Sequence, residues 1–113
     1  MPARGDLVWL HINPQSGHEQ AGRRPAVVVS PEAYNRVVGL ALVCPITSRV
    51  KGYPFEVRLP EDSGVSGVIL SDQLESLDWR AREAEPIGAV SAEVMSEVVA
   101  RIVPLIQPSR ARG

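Results

Sequence analysis

The stretch GHEQAGRRPAVVVSP, residues 17–31, contains the change of character on which the fold turns. Its first half is polar and holds two glycines, Gly17 and Gly22; its second half, Arg24 to Ser30, is a β-branched run that reads as a strand. Ser30-Pro31 then reads as an N-cap followed by proline at the first helical position, opening a short helix to about Val37. Upstream, Gly5 to Ile12 (GDLVWLHI) is another strand, apolar on both faces apart from His11, which we read as structural. Between the two strands lies a polar segment, Asn13 to Arg23 (NPQSGHEQAGR). That is long for a connection between adjacent strands, and loops of this kind carry function more often than tight hairpins do.

Working outward, Gly39 to Ile46 (GLALVCPI) is a continuous apolar run and predicts a central strand. A polar turn, Thr47 to Gly52, leads into Tyr53 to Leu59, where alternation predicts Tyr53, Phe55, Val57 and Leu59 facing in and Glu56 and Arg58 facing out. After the turn Pro60 to Gly67, Val68 to Leu77 reads as one strand that bends near Asp72-Gln73, and a short strand is expected around Ile87 to Val90. Ser91 caps the one substantial helix, with Glu93 in its first turn. Its apolar stripe is Val94, Val98 and Ile102, flanked by Met95, Val99 and Val103, and Pro104 is expected to end or distort it. The fold class is therefore mainly β with a C-terminal helix, in the form of a compact, strongly curved barrel. Residues 1–107 make one domain, and 108–113 are expected to be a flexible tail.

Composition agrees and excludes several classes. The 113 residues are 44% apolar and 22% charged, which is globular rather than disordered composition. The single cysteine, Cys44, rules out an internal disulfide or a multi-cysteine metal site, and we read it as an inert strand residue. No apolar run reaches the roughly 18 residues of a membrane span, and Met1 to Pro14 lacks the pattern of a signal peptide. The expectation is a soluble cytoplasmic protein. The net charge of −1 conceals an uneven distribution: His18 to Lys51 carries Arg23, Arg24, Arg36, Arg49 and Lys51 against Glu19 and Glu32, whereas Gly52 to Glu97 is strongly acidic. A local basic surface suffices to attract a polyanion despite the near-zero total.

The chain has no P-loop, dinucleotide fingerprint, nucleophile elbow or His-Glu-x-x-His motif, and two histidines are too few to predict a metal site. Its ordered motifs are GDLVW (5–9), N-P-x-x-G-x-E-Q-A-G-x-R-P (13–25), VVSP (28–31), CPITS (44–48), KGYPFEV (51–57), GV-x-L-S-DQ (67–73) and WRAR (79–82). On these, over roughly residues 5 to 107, the chain resembles the MazF/PemK family of bacterial toxin endoribonucleases.

The resemblance implies a small SH3-like barrel that homodimerises and cuts single-stranded RNA at short motifs without a metal or other cofactor. It also implies a cognate MazE-like antitoxin, whose disordered acidic tail wraps the dimer and blocks the RNA groove. In the MazF branch, cleavage is tied to an arginine of the Gly-x-Arg-Pro element and a threonine after the central strand. These match Arg24 and Thr47, and Glu19 matches the acidic residue of the same loop. The PemK branch divides the work among a histidine, an arginine and an aspartate. His18 and Asp72 are present here, but Leu70 stands at the arginine position, which favours the MazF scheme.

Such cleavage has the 2′-OH attack its own phosphate, leaving a 2′,3′-cyclic phosphate and a 5′-OH. Charge grows on the phosphorane oxygens, so fixed donors must be aimed there. Arg24 supplies two N–H groups and a full charge, and Thr47 a hydroxyl. An arginine holds its proton up to a pKa above about 12, so Arg24 is cast as the clamp, leaving Glu19 or His18 as the base. Gln20, Arg23, Ser48, Arg49 and Lys51 are the loop residues expected to grip phosphates and bases, while Asp72 and Gln73 either contact RNA or hydrogen-bond backbone. Trp9 and Trp79 read as packing residues; with five aromatics in all, stacking cannot dominate recognition. Two alternatives share the barrel: a non-enzymatic CcdB-like toxin that binds a topoisomerase, and an interaction module without activity.

Overall fold

The structure is a computed structural model and describes residues 2–11 and 22–108. Seven strands and two helices occur among them, in the order β1 (Asp6–His11), β2 (Arg23–Val28), α1 (Glu32–Val38), β3 (Ala41–Thr47), β4 (Glu56–Arg58), β5 (Val68–Leu70), β6 (Glu75–Leu77), β7 (Glu85–Ala89) and α2 (Ala92–Ile106). The mainly-β architecture with a C-terminal helix is the one the sequence predicts. The tail expected from 108 onward lies, beyond residue 108, outside the described residues.

β3 organises the sheet. One of its edges pairs antiparallel with β2 over Val43 to Pro45; the other is divided between β6, at Ala41 to Val43, and β5, at Ile46 and Thr47. The neighbour order is β4-β5-β3-β2-β1-β7, and no pairing among the described residues joins β4 back to β7. The compact, strongly curved barrel of the sequence reading is thus present as a sheet that does not close on itself among the described residues. The segment Val68 to Leu77, read from the sequence as one strand bending near Asp72-Gln73, is two short strands. The chain turns at Ser71–Leu74, with the Gln73 amide donating to the Leu70 carbonyl (3.1 Å), so the two strands pair with separate stretches of β3.

Both faces of the central strands are covered, which explains why the apolar runs do not alternate with polar residues. Leu7, Val27, Cys44 and Ile46 pack with Val57 and Ile69 beneath Met95, Val98 and Ile102 of α2. Val8, Leu10, Ala26, Val28, Ala41 and Val43 form a second cluster, covered by Leu77, Trp79 and Ala84. At roughly 25 cal/mol per Å² of apolar surface removed from water, these two layers supply the main driving force for folding.

Three local expectations change. Ser30 is not the N-cap of α1, a position held by Pro31; its hydroxyl donates to the Asn35 side chain and accepts the Leu42 amide, tying α1 to β3. Tyr53 is 57% exposed rather than inward, because β4 begins only at Glu56 and the residues before it form a turn. Pro104 sits inside α2, which continues to Ile106. A proline one turn from the end denies a partner only to the Ala100 carbonyl, and the last turn still closes, Gln107 amide to Val103 carbonyl at 2.9 Å. The Ser91 cap holds as read, its side chain accepting the Val94 amide at 3.2 Å.

Candidate active site

Two prolines shape the opening in which the candidate residues meet. The β2–β3 ladder stops at Ala26 opposite Pro45. Neither Pro25 nor Pro45 has an amide hydrogen to extend it, so the strand ends are free to separate. Continuing that register by two residues sets Arg24, at the start of β2, across from Thr47, at the end of β3. The space between them is a groove of about 630 Å³ lined by Trp9, Arg24, Pro25, Pro45, Ile46, Thr47, Ser48, Arg49, Val65, Ser66, Leu70 and Gln73. A smaller recess of about 160 Å³ adjoins it, sharing Thr47, Arg49, Leu70 and Gln73 and adding Lys51, Tyr53, Glu56 and Asp72.

The two side chains facing each other across this groove are prepared differently. Arg24 is exposed and has no ion-pair or hydrogen-bond partner among the described residues, so its guanidinium is available to an anion. Thr47 is half-buried, and its Oγ1 accepts the Arg49 amide at 3.1 Å. That bond occupies a lone pair and leaves the O–H proton to be donated elsewhere. Arg49 and Lys51 add positive charge along the same wall. A phosphodiester laid in the groove would meet a bidentate cation on one side and a hydroxyl donor on the other, which is the donor set that a developing phosphorane charge requires.

Seven predicted residues are brought together in the groove and its recess: Arg24, Thr47, Ser48, Arg49, Lys51, Asp72 and Gln73. Arg23 is not among them. Its side chain points to Glu85, with which it pairs, and its guanidinium stacks over Trp9 at 4.6 Å. His18, Glu19 and Gln20 lie outside the described residues. Leu70, at the position where the PemK scheme needs an arginine, lines both cavities as an apolar surface. Trp9, read as a packing residue, is half-buried and lines the groove; Trp79 packs on the second core cluster and donates its indole N–H to the Asn35 carbonyl at 3.1 Å.

Sequence reasoning missed three contributors. Val65 and Ser66, in a turn with no motif of its own, form part of the groove wall. Glu56, read as an outward strand residue, turns its carboxylate back onto the preceding loop and accepts the Lys51 and Gly52 amides at 3.0 and 2.9 Å. A carboxylate four or five residues after Lys-Gly was the available signal. Cys44 is inert as expected: burial, with a smaller contribution from Asp72, pushes its thiol up to about 12. A more open apolar groove of about 740 Å³ runs along α2 past Met95 and Val99 and contains none of the candidate residues. Among the described residues, no three or more His, Cys, Asp or Glu side chains gather as a metal site needs, and no helix is long and apolar enough to cross a membrane.

This fold and groove define a class. Residues 3–106 match the model of the PemK-like, MazF-like toxins of type II toxin–antitoxin systems, and the chain belongs to that family. Among named relatives, it is 47% identical over 106 residues to the endoribonuclease toxin MazF of Escherichia coli (strain K12), covering 94% of this chain and 95% of that protein. The endoribonuclease PemK of Escherichia coli is 37% identical over 106 residues, covering 88% of this chain and 77% of that protein. The higher identity to MazF agrees with the branch that Leu70 favours. Among solved structures, a MazE–MazF crystal structure from Deinococcus radiodurans superposes with a TM-score of 0.85 at 51% identity, covering 96% of this chain and 97% of that one. The open, bent sheet with its C-terminal helix is therefore the MazF type of fold.

Proposed function

We propose that the protein is the toxin of a type II toxin–antitoxin pair. It acts as an endoribonuclease that cuts single-stranded RNA at a short motif and so stops translation and growth. The carrying observation is the placement of Arg24 across from Thr47 in a basic-walled groove, in a chain 47% identical to a MazF endoribonuclease. Cleavage proceeds without a metal. The 2′-oxygen forms a bond to phosphorus, the P–O5′ bond breaks, and the products are a 2′,3′-cyclic phosphate and a 5′-OH. Glu19 or His18 takes the proton from the 2′-OH, solvent water supplies one to the departing 5′-oxygen, and Arg24 and Thr47 stabilise the charge on the non-bridging oxygens. Ser48, Arg49, Lys51, Asp72, Gln73 and Gln20 hold the flanking nucleotides, with Arg23 at the margin.

The same reading assigns the partners. Val103, Leu105 and Ile106 leave the end of α2 apolar and 40%, 52% and 70% exposed, which suits a homodimer contact. A MazE-like antitoxin with an acidic, disordered tail is the expected inhibitor, because a blocker must compete with RNA for a basic surface; the Deinococcus radiodurans MazF structure is a complex with MazE. The protein works in the cytoplasm, where its substrate is.

The test is controlled expression in a bacterial host, with total RNA sequenced for new 5′-OH ends. Growth arrest with cuts recurring at one short motif supports the reading. Growth arrest with intact RNA would overturn it in favour of a topoisomerase-binding toxin.

A further inference from the structure

One wall of the groove is a loop without regular structure, residues 48–55, which presents Arg49, Lys51 and Tyr53 to the space where RNA would lie. Such a loop discriminates between bases only if it keeps one shape, since a base hydrogen bond is selective only when its donor is fixed. The loop is tied at two points to neighbouring elements. At its middle, the two oxygens of Glu56 accept the Lys51 and Gly52 amides at 3.0 and 2.9 Å, and Gly52 takes a positive φ of 84° that permits the turn. Glu56 is itself fixed in the β4–β5 ladder opposite Leu70. At the far end, Arg101 of α2 donates its Nε to the Pro54 carbonyl at 3.0 Å. Its guanidinium is held by the Glu97 carbonyl at 3.0 Å and the Glu97 carboxylate at 3.8 Å. Beside these ties, the Lys51 ammonium lies 5.7 Å from the centre of the Tyr53 ring, so an exposed cation and an exposed aromatic face are presented as a unit.

We propose that Glu56 and Arg101 are positioning residues that clamp this loop and thereby set which RNA sequences are cut. Both oxygens of Glu56 are engaged by backbone amides, and Arg101 reaches the loop only through a carbonyl. Neither residue touches the reacting atoms; they act through the placement of Lys51 and Tyr53. The inference rests on the groove being the RNA site.

The experiment compares wild type, Glu56→Gln and Arg101→Ala. The glutamine keeps the size of the side chain but has one acceptor oxygen, so one of the two amides loses its partner; the alanine removes the far tie. Cuts are first mapped on a mixed-sequence single-stranded RNA. Kinetics are then measured on a short RNA carrying the wild-type motif and on versions altered at one base. The ratio of kcat/KM between motif and altered RNA should fall at least about tenfold in each variant, through KM, with kcat within about threefold of wild type and the same cyclic-phosphate ends. Hydrogen exchange at the Lys51 and Gly52 amides should quicken in Glu56→Gln, while the core amides of Val27 and Cys44 show that the fold persists. If Glu56→Gln fails that check, Arg101→Ala decides.

Unchanged ratios in folded variants would overturn the clamp. So would a uniform fall in kcat on every RNA with discrimination kept, since the loop would then serve only the chemistry. Wild-type protein that cuts no RNA would instead remove the functional reading, and this inference with it.

Discussion

Gly67 lies against the backbone of Thr47 so closely that no other residue fits between β5 and the end of β3. A Cβ at position 67 would stand 2.8 Å from the Thr47 carbonyl carbon, closer still to its oxygen, and 3.1 Å from the Cα of Ser48. Its φ of +121° is also one that L side chains rarely adopt. The glycine therefore fixes from behind the main chain whose side chains face the groove. Gly67→Ala is predicted to cost about 1–3 kcal/mol of stability and to lower RNA cleavage at least about tenfold by displacing Thr47. Thermal unfolding and a cleavage time course check this; an alanine variant with unchanged melting temperature and rate would refute the close packing.

The Thr47 hydroxyl accepts the Arg49 amide and, in the proposed mechanism, donates to the phosphate. Valine has the same shape and can do neither, so Thr47→Val should lower kcat by about a hundredfold with little change in the melting temperature. Thr47→Ser keeps the oxygen and should recover most of the rate. If valine and serine variants cut equally well, the hydroxyl has no part in catalysis.

Cys44 gives the fold a pH dependence in the alkaline range. Its thiol has an ordinary value of 9.0 in the unfolded chain and about 12 when folded, chiefly through burial and secondarily through Asp72. Below pH 9 the proton is bound in both states and the contribution to stability is fully present; between 9 and 12 only the unfolded chain releases it. Stability should therefore fall with rising pH by an extra ~1.4 kcal/mol per unit in that window, a slope that Cys44→Ala removes. Denaturant titrations of both proteins from pH 8 to 11 provide the comparison, and parallel slopes would contradict the burial of the thiol.

Arg23 and Arg24 are neighbours with different fates. Arg23 is paired with Glu85 and stacked on Trp9, outside the groove, and an exposed pair of this kind contributes less than about 1 kcal/mol. Arg23→Ala should accordingly change cleavage by no more than about threefold, whereas loss of Arg24 removes a guanidinium that lines the groove and is proposed to meet the phosphate. Equal loss of rate from both substitutions would show that Arg23, too, takes part in cleavage.

Much of this was legible in the residues. The Val27-Val28 run, the Ser91 cap and the apolar stripe of α2 declare themselves because burial and capping leave local signals, although the structure buries Met95, read as a flank of the stripe, where Val94 is only half-buried. Arg24 and Thr47 are singled out by the family resemblance of their motifs, and Arg49 and Lys51 as a basic pair in the polar turn that follows Thr47. What escaped depends on contacts distant in sequence. Alternation counts Tyr53 inward because it cannot see that the loop folds back onto Glu56. Reading Val68 to Leu77 as one strand bent near Asp72-Gln73 misses that the chain breaks at Ser71–Leu74 into two strands that share one edge of β3. Gly67 looks like any turn glycine until Thr47 is placed against it. Pro104 obeys the helix rule weakly, since a proline in the last turn breaks a single bond.

The central claim is that Arg24, set across from Thr47, stabilises the transition state of a metal-free RNA cleavage. The most direct measurement incubates wild type and Arg24→Ala with a mixed-sequence single-stranded RNA in excess EDTA and maps the fragment ends. Wild type should cut at one short motif, leaving 2′,3′-cyclic phosphate and 5′-OH ends, and Arg24→Ala should be slower by about a hundredfold or more while remaining folded. Cleavage that needs an added metal, or an alanine variant that cuts as fast as wild type, would contradict the account.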